Sequence, residues 1–336
     1  MTQIQKVEWP TLAMLVGCYG VWLGAGLWLY PVAPWAALAV MAVMAGFHTS
    51  LQHEALHGHP TRNADLNELL VALPLAVAYP YRRFKALHLR HHRDESLTDP
   101  YDDPESWYVA EGDHGRLSAP MRWLLAINNT LLGRLVIGPP LMVFGFFRDE
   151  VRNLIAGNRG VRRAWVHHGL GLIVLFAIVW GAMGIHPLIY VGVVAWGGMS
   201  LIAVRTYCEH RWEETPDGRT VIVENSRILS WLFLNNNLHL VHHKLPRAPW
   251  YALPRIYRER RQEWIAANGA YVYRSYWDIV RAHALSPKEP VIHPALRRVA
   301  RGTERVAPVA GAFQPAGRTP SAGPAEALPI AARPEH

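Results

Sequence analysis

The chain holds four runs that are apolar and free of charge, and these limit what it can fold into more than any other feature. From Thr11 to Tyr30 there is no charged residue. A helix of about 20 residues, rising ~1.5 Å per residue, is long enough to cross a hydrocarbon core of about 30 Å. Pro31 to Pro34 makes a turn, and Trp35 to about Ser50 returns. A secretory signal peptide is not expected here, because the basic flank is weak and a second apolar run follows at once. A second pair runs from about Ala164 to Gly184 and from Leu188 to Val204, joined at His186-Pro187. Two hairpins therefore return the chain twice to the side on which it started.

Charge assigns that side. Arg159, Arg162 and Arg163 precede the second hairpin, Arg205 follows it, and Arg82 to Arg93 lie beyond the first. Basic residues collect on the cytoplasmic side of short loops, so both termini and everything beyond the hairpin ends are expected in the cytoplasm, at the inner membrane in a bacterium. The net charge of +8 is explained by arginines flanking apolar runs, as where a membrane protein meets anionic headgroups. No zinc-finger spacing or free basic helix supports nucleic-acid binding. Two cysteines give no disulfide framework. Leu66 to Tyr79 is apolar but short and carries Pro74, which suggests an interfacial or re-entrant segment. Met121 to Phe147, broken at Pro139-Pro140, is expected at the interface.

Beside these runs lie three histidine clusters. His53 and His57 stand at i and i+4; His88, His91 and His92 stand at i, i+3 and i+4, as do His239, His242 and His243. On a helix such spacings put the imidazoles on one face, so the third cluster is expected on one helix over Ile228 to Leu245. Neutral imidazole suits iron, zinc, copper and nickel alike, so the residues point to metal without choosing the element. The first cluster, His53-Glu54-Ala55-Leu56-His57, also reads as a zinc-metalloprotease signature, with Glu54 as general base. Against that reading, one catalytic zinc takes three protein ligands and a water, which leaves most of these histidines without work. A histidine-lined transporter is disfavoured because the four runs carry almost no polar residue at mid-membrane.

The pattern H-x-x-x-H, H-x-x-H-H and N-x-x-H-x-x-H-H, matched by His53 to His57, His88 to His92 and Asn236 to His243, resembles the membrane fatty acid desaturase family. Carotenoid ketolases and alkane or acyl hydroxylases are its relatives. The resemblance covers about residues 40 to 255, including the runs and the order of the clusters. It implies an all-α integral membrane protein, with four transmembrane helices in two hairpins and a cytoplasmic helical cap carrying a di-iron site. The implied ligands are His53, His57, His88, His91, His92, His239, His242 and His243. His210 occupies the place of a ninth, just after the fourth run. Animal-type acyl desaturases place an asparagine four residues before that histidine, whereas this chain has Thr206.

Ligating histidines usually give their second N–H to a carboxylate or carbonyl. Asn236, Glu54, Asp94, Asp99, Asp102 and Glu209 are candidates for that work, with Glu95 and Asp103 in the same acidic run. The remaining nine histidines are read as interfacial, loop or packing residues; His48 and His59, beside the first cluster, are expected at the surface or behind the ligands. The function implied is an O₂-dependent oxidoreductase, most simply an acyl-lipid desaturase, with hydroxylation or ketolation as alternatives. Two iron ions, O₂ and an external electron donor of ferredoxin or cytochrome type are implied, since no haem-binding segment or nucleotide-binding glycine fingerprint is present. The basic run from Arg82 to Arg93 is a candidate dock for that donor. Residues 1–285 are expected to form the catalytic domain. Residues 286–336, rich in Pro, Ala, Gly and Arg, are expected to be a disordered tail.

Overall fold

A computed structural model describes residues 7–295, apart from the side chain of Asp94. Four helices in it are long and apolar enough to cross a membrane: Trp9–Leu29, Pro34–Leu56, Arg159–Ala182 and Pro187–Glu209. They are the four runs of the sequence, extended by one to five residues at most ends. Pro34 and Pro187 both sit in the first turn of their helices, where the missing N–H costs nothing and the fixed φ suits the helix. In the second hairpin, Gly184 takes a φ of +68° and the His186 ring nitrogen accepts from Leu188 N at 3.2 Å. Trp28, Trp35 and Trp180 are exposed near the hairpin tips, at the level where aromatic rings settle between lipid and water.

The second span is the axis of the bundle: half of it is buried, against 22–28% for the other three. It crosses the fourth span through glycines. A Cβ at Gly198 would lie 2.9 Å from Ala45 Cβ and 3.0 Å from Gly46 N, so only the absence of side chains lets these backbones touch. Trp22 Nε1 donates to Tyr190 Oη at 3.1 Å, and Tyr190 Oη donates to Leu75 O at 3.0 Å. This chain of bonds fixes the first and fourth spans against the segment after the first hairpin.

Most of the remaining described structure lies at the other end, but residues 72–75 dip between the spans, where Leu75 O meets Tyr190 and a Cβ at Gly171 would lie 2.9 Å from Ala72 O. Of the segment expected to be interfacial or re-entrant, only Ala64–Leu70 is helical; the chain then turns irregularly through the buried Val71 and Leu75. Met121 to Phe147 falls in three helices, Ala119–Asn128, Leu131–Val136 and Gly138–Ile155, and Pro139 and Pro140 begin the last of them rather than breaking it. The single helix expected over Ile228 to Leu245 is instead two short ones, Arg227–Leu232 and His239–Lys244. Leu234 and Asn235 have positive φ between them, and that reversal, not helical phase, aims the third cluster. A two-stranded parallel sheet pairs Ile222 with Val272 and Val223 with Tyr273.

The expected tail from residue 286 falls for the most part outside the described residues. Residues 286–295 are described, and they pack back onto the fold: Val109 and Ile292 form a β-bridge, and His293 is buried.

Candidate metal centre

The second span runs without a break into the first cluster, so His53 lies in its last turn and His57 caps it. Helix Tyr81–His91 carries His88 and His91, with His92 as its C-cap. Helix His239–Lys244 brings His239, His242 and His243. His210 caps the fourth span in extended conformation and pairs with Thr220 in an isolated bridge. These four supports meet, and the nine histidines fall into two groups. His53, His57, His88, His92 and His242 form one; His91, His210, His239 and His243 form the other, and within each group one ring nitrogen from every histidine lies within 4.8 Å of the rest.

The outward nitrogens set the protonation. His88 Nδ1 lies 2.8 Å from Glu105 Oε1, His91 Nδ1 2.8 Å from Asp103 Oδ1, and His239 Nδ1 3.0 Å from Asn236 Oδ1. An acceptor beside Nδ1 assigns the proton there, so in a neutral ring Nε2 presents a bare lone pair. Those Nε2 atoms converge: His91 on His210 at 3.0 Å, His210 on His239 at 3.1 Å, His88 on His92 at 2.9 Å, and His92 on His242 at 3.2 Å. The Nε2 atoms of His53 and His57 are buried with no hydrogen-bond partner among the described residues. Lone pairs gathered away from water repel unless a cation sits among them. The donor set therefore fits metal, and imidazoles oriented by carboxylates fit a transition metal in particular.

Burial supports the neutral form. It is the main cause that pushes His57 down to about 2 and His92 lower still, and it holds His210, His239 and His242 far below the usual range. His91 is the exception: burial opposes its charge, but Glu105 and Asp103 outweigh this and raise it to about 9. A metal ion taking His91 must therefore displace a proton.

The outer partners differ from several expected ones. Asn236 and Glu209 do stand behind the third cluster: Asn236 Nδ2 donates to Glu209 Oε1 at 3.3 Å, and Arg205 Nε lies 2.7 Å from that same oxygen. Glu54 does not orient a ligand. It accepts from Trp250 N at 2.9 Å, tying the first cluster's helix to the chain beyond the third. Turned that way, it is not the general base of a protease. Asp99 accepts from Tyr101 N and Asp102 N and so closes a turn; Asp102 is exposed and reaches Arg90 at 3.6 Å. The side chain of Asp94 lies outside the described residues. Glu105, which the sequence did not single out, and Asp103 do the orienting; both lie in an acidic run where nothing in the spacing distinguishes them from their neighbours.

His48 and His59 are buried, not at the surface. His48 Nε2 is 2.8 Å from Tyr19 Oη, and His59 Nδ1 is 2.8 Å from Glu8 Oε1. Of the basic run, Arg82, Arg83 and Arg90 face Glu68, Glu150 and Asp102.

A cavity of about 1640 Å³, its open mouth included, reaches the centre at His88 and His210. Part of its wall is apolar, with Val77, Phe84, Met142, Phe146 and Ile202; part is polar, with Arg134, Arg205, Glu209 and Lys288. Thr206 lies on this wall.

Four apolar spans capped by nine converging histidines beside such a cavity define a class: a multi-pass membrane protein with a histidine centre that can hold metal, on the wall of a partly apolar cavity. The model of the fatty acid desaturase family matches residues 31–276, and the chain belongs to that family; it is an oxidoreductase. It is 23% identical over 295 residues to an sn-1 oleoyl-lipid 12-desaturase of Picosynechococcus sp., a match that covers 81% of this chain and 80% of that protein.

Proposed function

We propose that this protein introduces a C=C bond into the acyl chain of a lipid, using O₂ and two iron ions held by the nine histidines. The observation that carries the reading is the division of those histidines into two adjacent groups whose bare nitrogens point inward, on the wall of a partly apolar cavity. Iron bound there would supply the power to activate O₂ and take hydrogen from an unactivated C–H bond. Per double bond, two hydrogens leave the chain, and with O₂, two electrons and two protons they end as two molecules of water. The electrons come from a separate carrier of ferredoxin or cytochrome type.

This chain's own residues hold and position. His53, His57, His88, His92 and His242 serve one ion; His91, His210, His239 and His243 serve the other. Glu105, Asp103 and Asn236 keep the Nδ1 proton on His88, His91 and His239, so that Nε2 stays free to ligate. The apolar wall orients the chain and keeps water out, and its hold on the reacting carbon decides between alkene and alcohol. The arginines at the hairpin ends favour a cytoplasmic centre, with both termini on the same side.

The test is a comparison of lipid extracts from cells with and without the gene, by mass spectrometry. Loss of two hydrogens from an acyl chain is expected. One added oxygen would mean hydroxylation, and an oxidised carotenoid would mean ketolation; either would replace this reading.

A further inference from the structure

The cavity wall holds a cation that nothing in the described chain neutralises. Arg134 lies on the short helix Leu131–Val136, buried to 3% exposure. Its Nε donates to Asn128 O at 3.1 Å, and its guanidinium lies 3.6 Å above the Trp107 ring and 5.6 Å from the Tyr207 ring. Its two terminal nitrogens have no hydrogen-bond partner among the described residues, and no carboxylate lies within ion-pair distance of them. The stem is closely held, since a Cβ at Gly138 would come 2.8 Å from Arg134 Cδ.

Every carboxylate on the same wall is already engaged. Glu105 meets His88 at 2.8 Å, Asp103 meets His91 at 2.8 Å, and Glu209 meets Arg205 at 2.7 Å. Glu289 lies 3.6 Å from Lys288 and accepts from Trp212 N at 3.3 Å. Lys288 is itself occupied, because its Nζ donates to His210 O. Arg134 is what remains. Burial lowers its guanidinium to about 9, which still leaves it charged at neutral pH. Withdrawing a charge from water without a partner is unfavourable, and stacking on Trp107 offsets only part of that cost. The two free nitrogens form a planar fork that matches carboxylate and phosphate oxygens.

We propose that Arg134 is the anion-binding subsite of this cavity and takes the carboxylate or phosphate at the head of an acyl substrate. The inference rests on reading the cavity as the acyl site, and it narrows the substrate class to lipids with an anionic group near the chain. A neutral head group leaves the guanidinium unmatched and binds more weakly.

The test is equilibrium binding to the purified, iron-loaded protein in detergent, with three probes of equal chain length: palmitate, 1-palmitoyl lysophosphatidate and hexadecanol. The wild type should hold at least one anionic probe about tenfold or more tighter than hexadecanol, the worth of a two-pronged charged hydrogen bond. Preference for palmitate alone identifies a carboxylate ligand, and preference for lysophosphatidate a phosphate; either supports the proposal. Arg134→Gln should abolish the preference while hexadecanol binding moves by less than about twofold, the scale of an uncharged contact. Should that variant fail to fold, Arg134→Lys carries the test: it keeps the charge but loses the fork, and the preference should fall several-fold with hexadecanol unchanged. No preference in the wild type overturns the proposal, as does an equal loss of all three probes in Arg134→Gln, or an unchanged preference in Arg134→Lys. Binding is read without turnover, so lipid extracts lacking a new double bond would count against the reaction and not against this subsite.

Discussion

His91 and His210 are 119 residues apart in sequence, and their Nε2 atoms lie 3.0 Å from one another. His91 ends a helix beyond the first hairpin, whereas His210 caps the fourth span. The pair therefore exists only when the two hairpins are docked.

His210→Ala should lower iron content and abolish turnover while the protein still reaches the membrane. His168→Ala is the instructive comparison. His168 Nε2 meets Val77 O at 2.8 Å and the residue is buried, so its loss should cost about 1–3 kcal/mol of stability by stranding a buried acceptor. Iron content should stay intact in that variant. Elemental analysis and thermal unfolding of both proteins check this; equal iron in both would remove His210 from the ligand set.

Glu105→Gln and Asp103→Asn should each weaken iron binding about 10–100-fold, the usual effect of losing a ligand's outer partner. Asp99→Asn and Asp102→Asn should hold iron as the wild type does, because those carboxylates close a turn and face Arg90. Glu54→Gln should also keep its iron. Chelator competition ranks the five variants, and a loss of iron in Asp102→Asn matching that in Asp103→Asn would contradict the orienting role.

Removing residues 296–336 should leave activity and iron unchanged, as expected of a stretch with that composition. Removing residues from 286 onward should not be tolerated. That cut takes away Lys288, which donates to His210 O, and Ile292, which bridges to Val109. Loss of iron together with a lower Tm is expected for the longer cut only.

Gly198→Ala should destabilise the bundle by about 1–3 kcal/mol, the range for an overpacked contact. Its added Cβ would lie 2.9 Å from Ala45 Cβ. Gly20→Ala, where nothing lies within 4 Å, should be neutral or slightly stabilising. Thermal unfolding in one detergent compares them, and equal Tm values would mean that the two spans do not touch there.

The four spans, their pairing into hairpins and the in-phase histidines within each cluster are legible in the residues alone. These follow from local rules: the length of an uncharged run, proline at a turn, and the spacing of one helix face. Asn236 and Glu209 were also legible, because they lie within a few residues of the ligands they support. Tertiary structure alone decided which acids orient the histidines, since Glu105 and Asp103 come into place through the course of a loop and not through periodicity. It decided that Glu54 turns to Trp250, 196 residues away, rather than to the centre. The break at Leu234 and Asn235 was hidden as well, because an apolar helical pattern does not record a reversal forced by packing. The same holds for Arg134: its sequence neighbours are ordinary, and its unmatched charge appears only when segments from across the chain close around one cavity and engage every other charge in it.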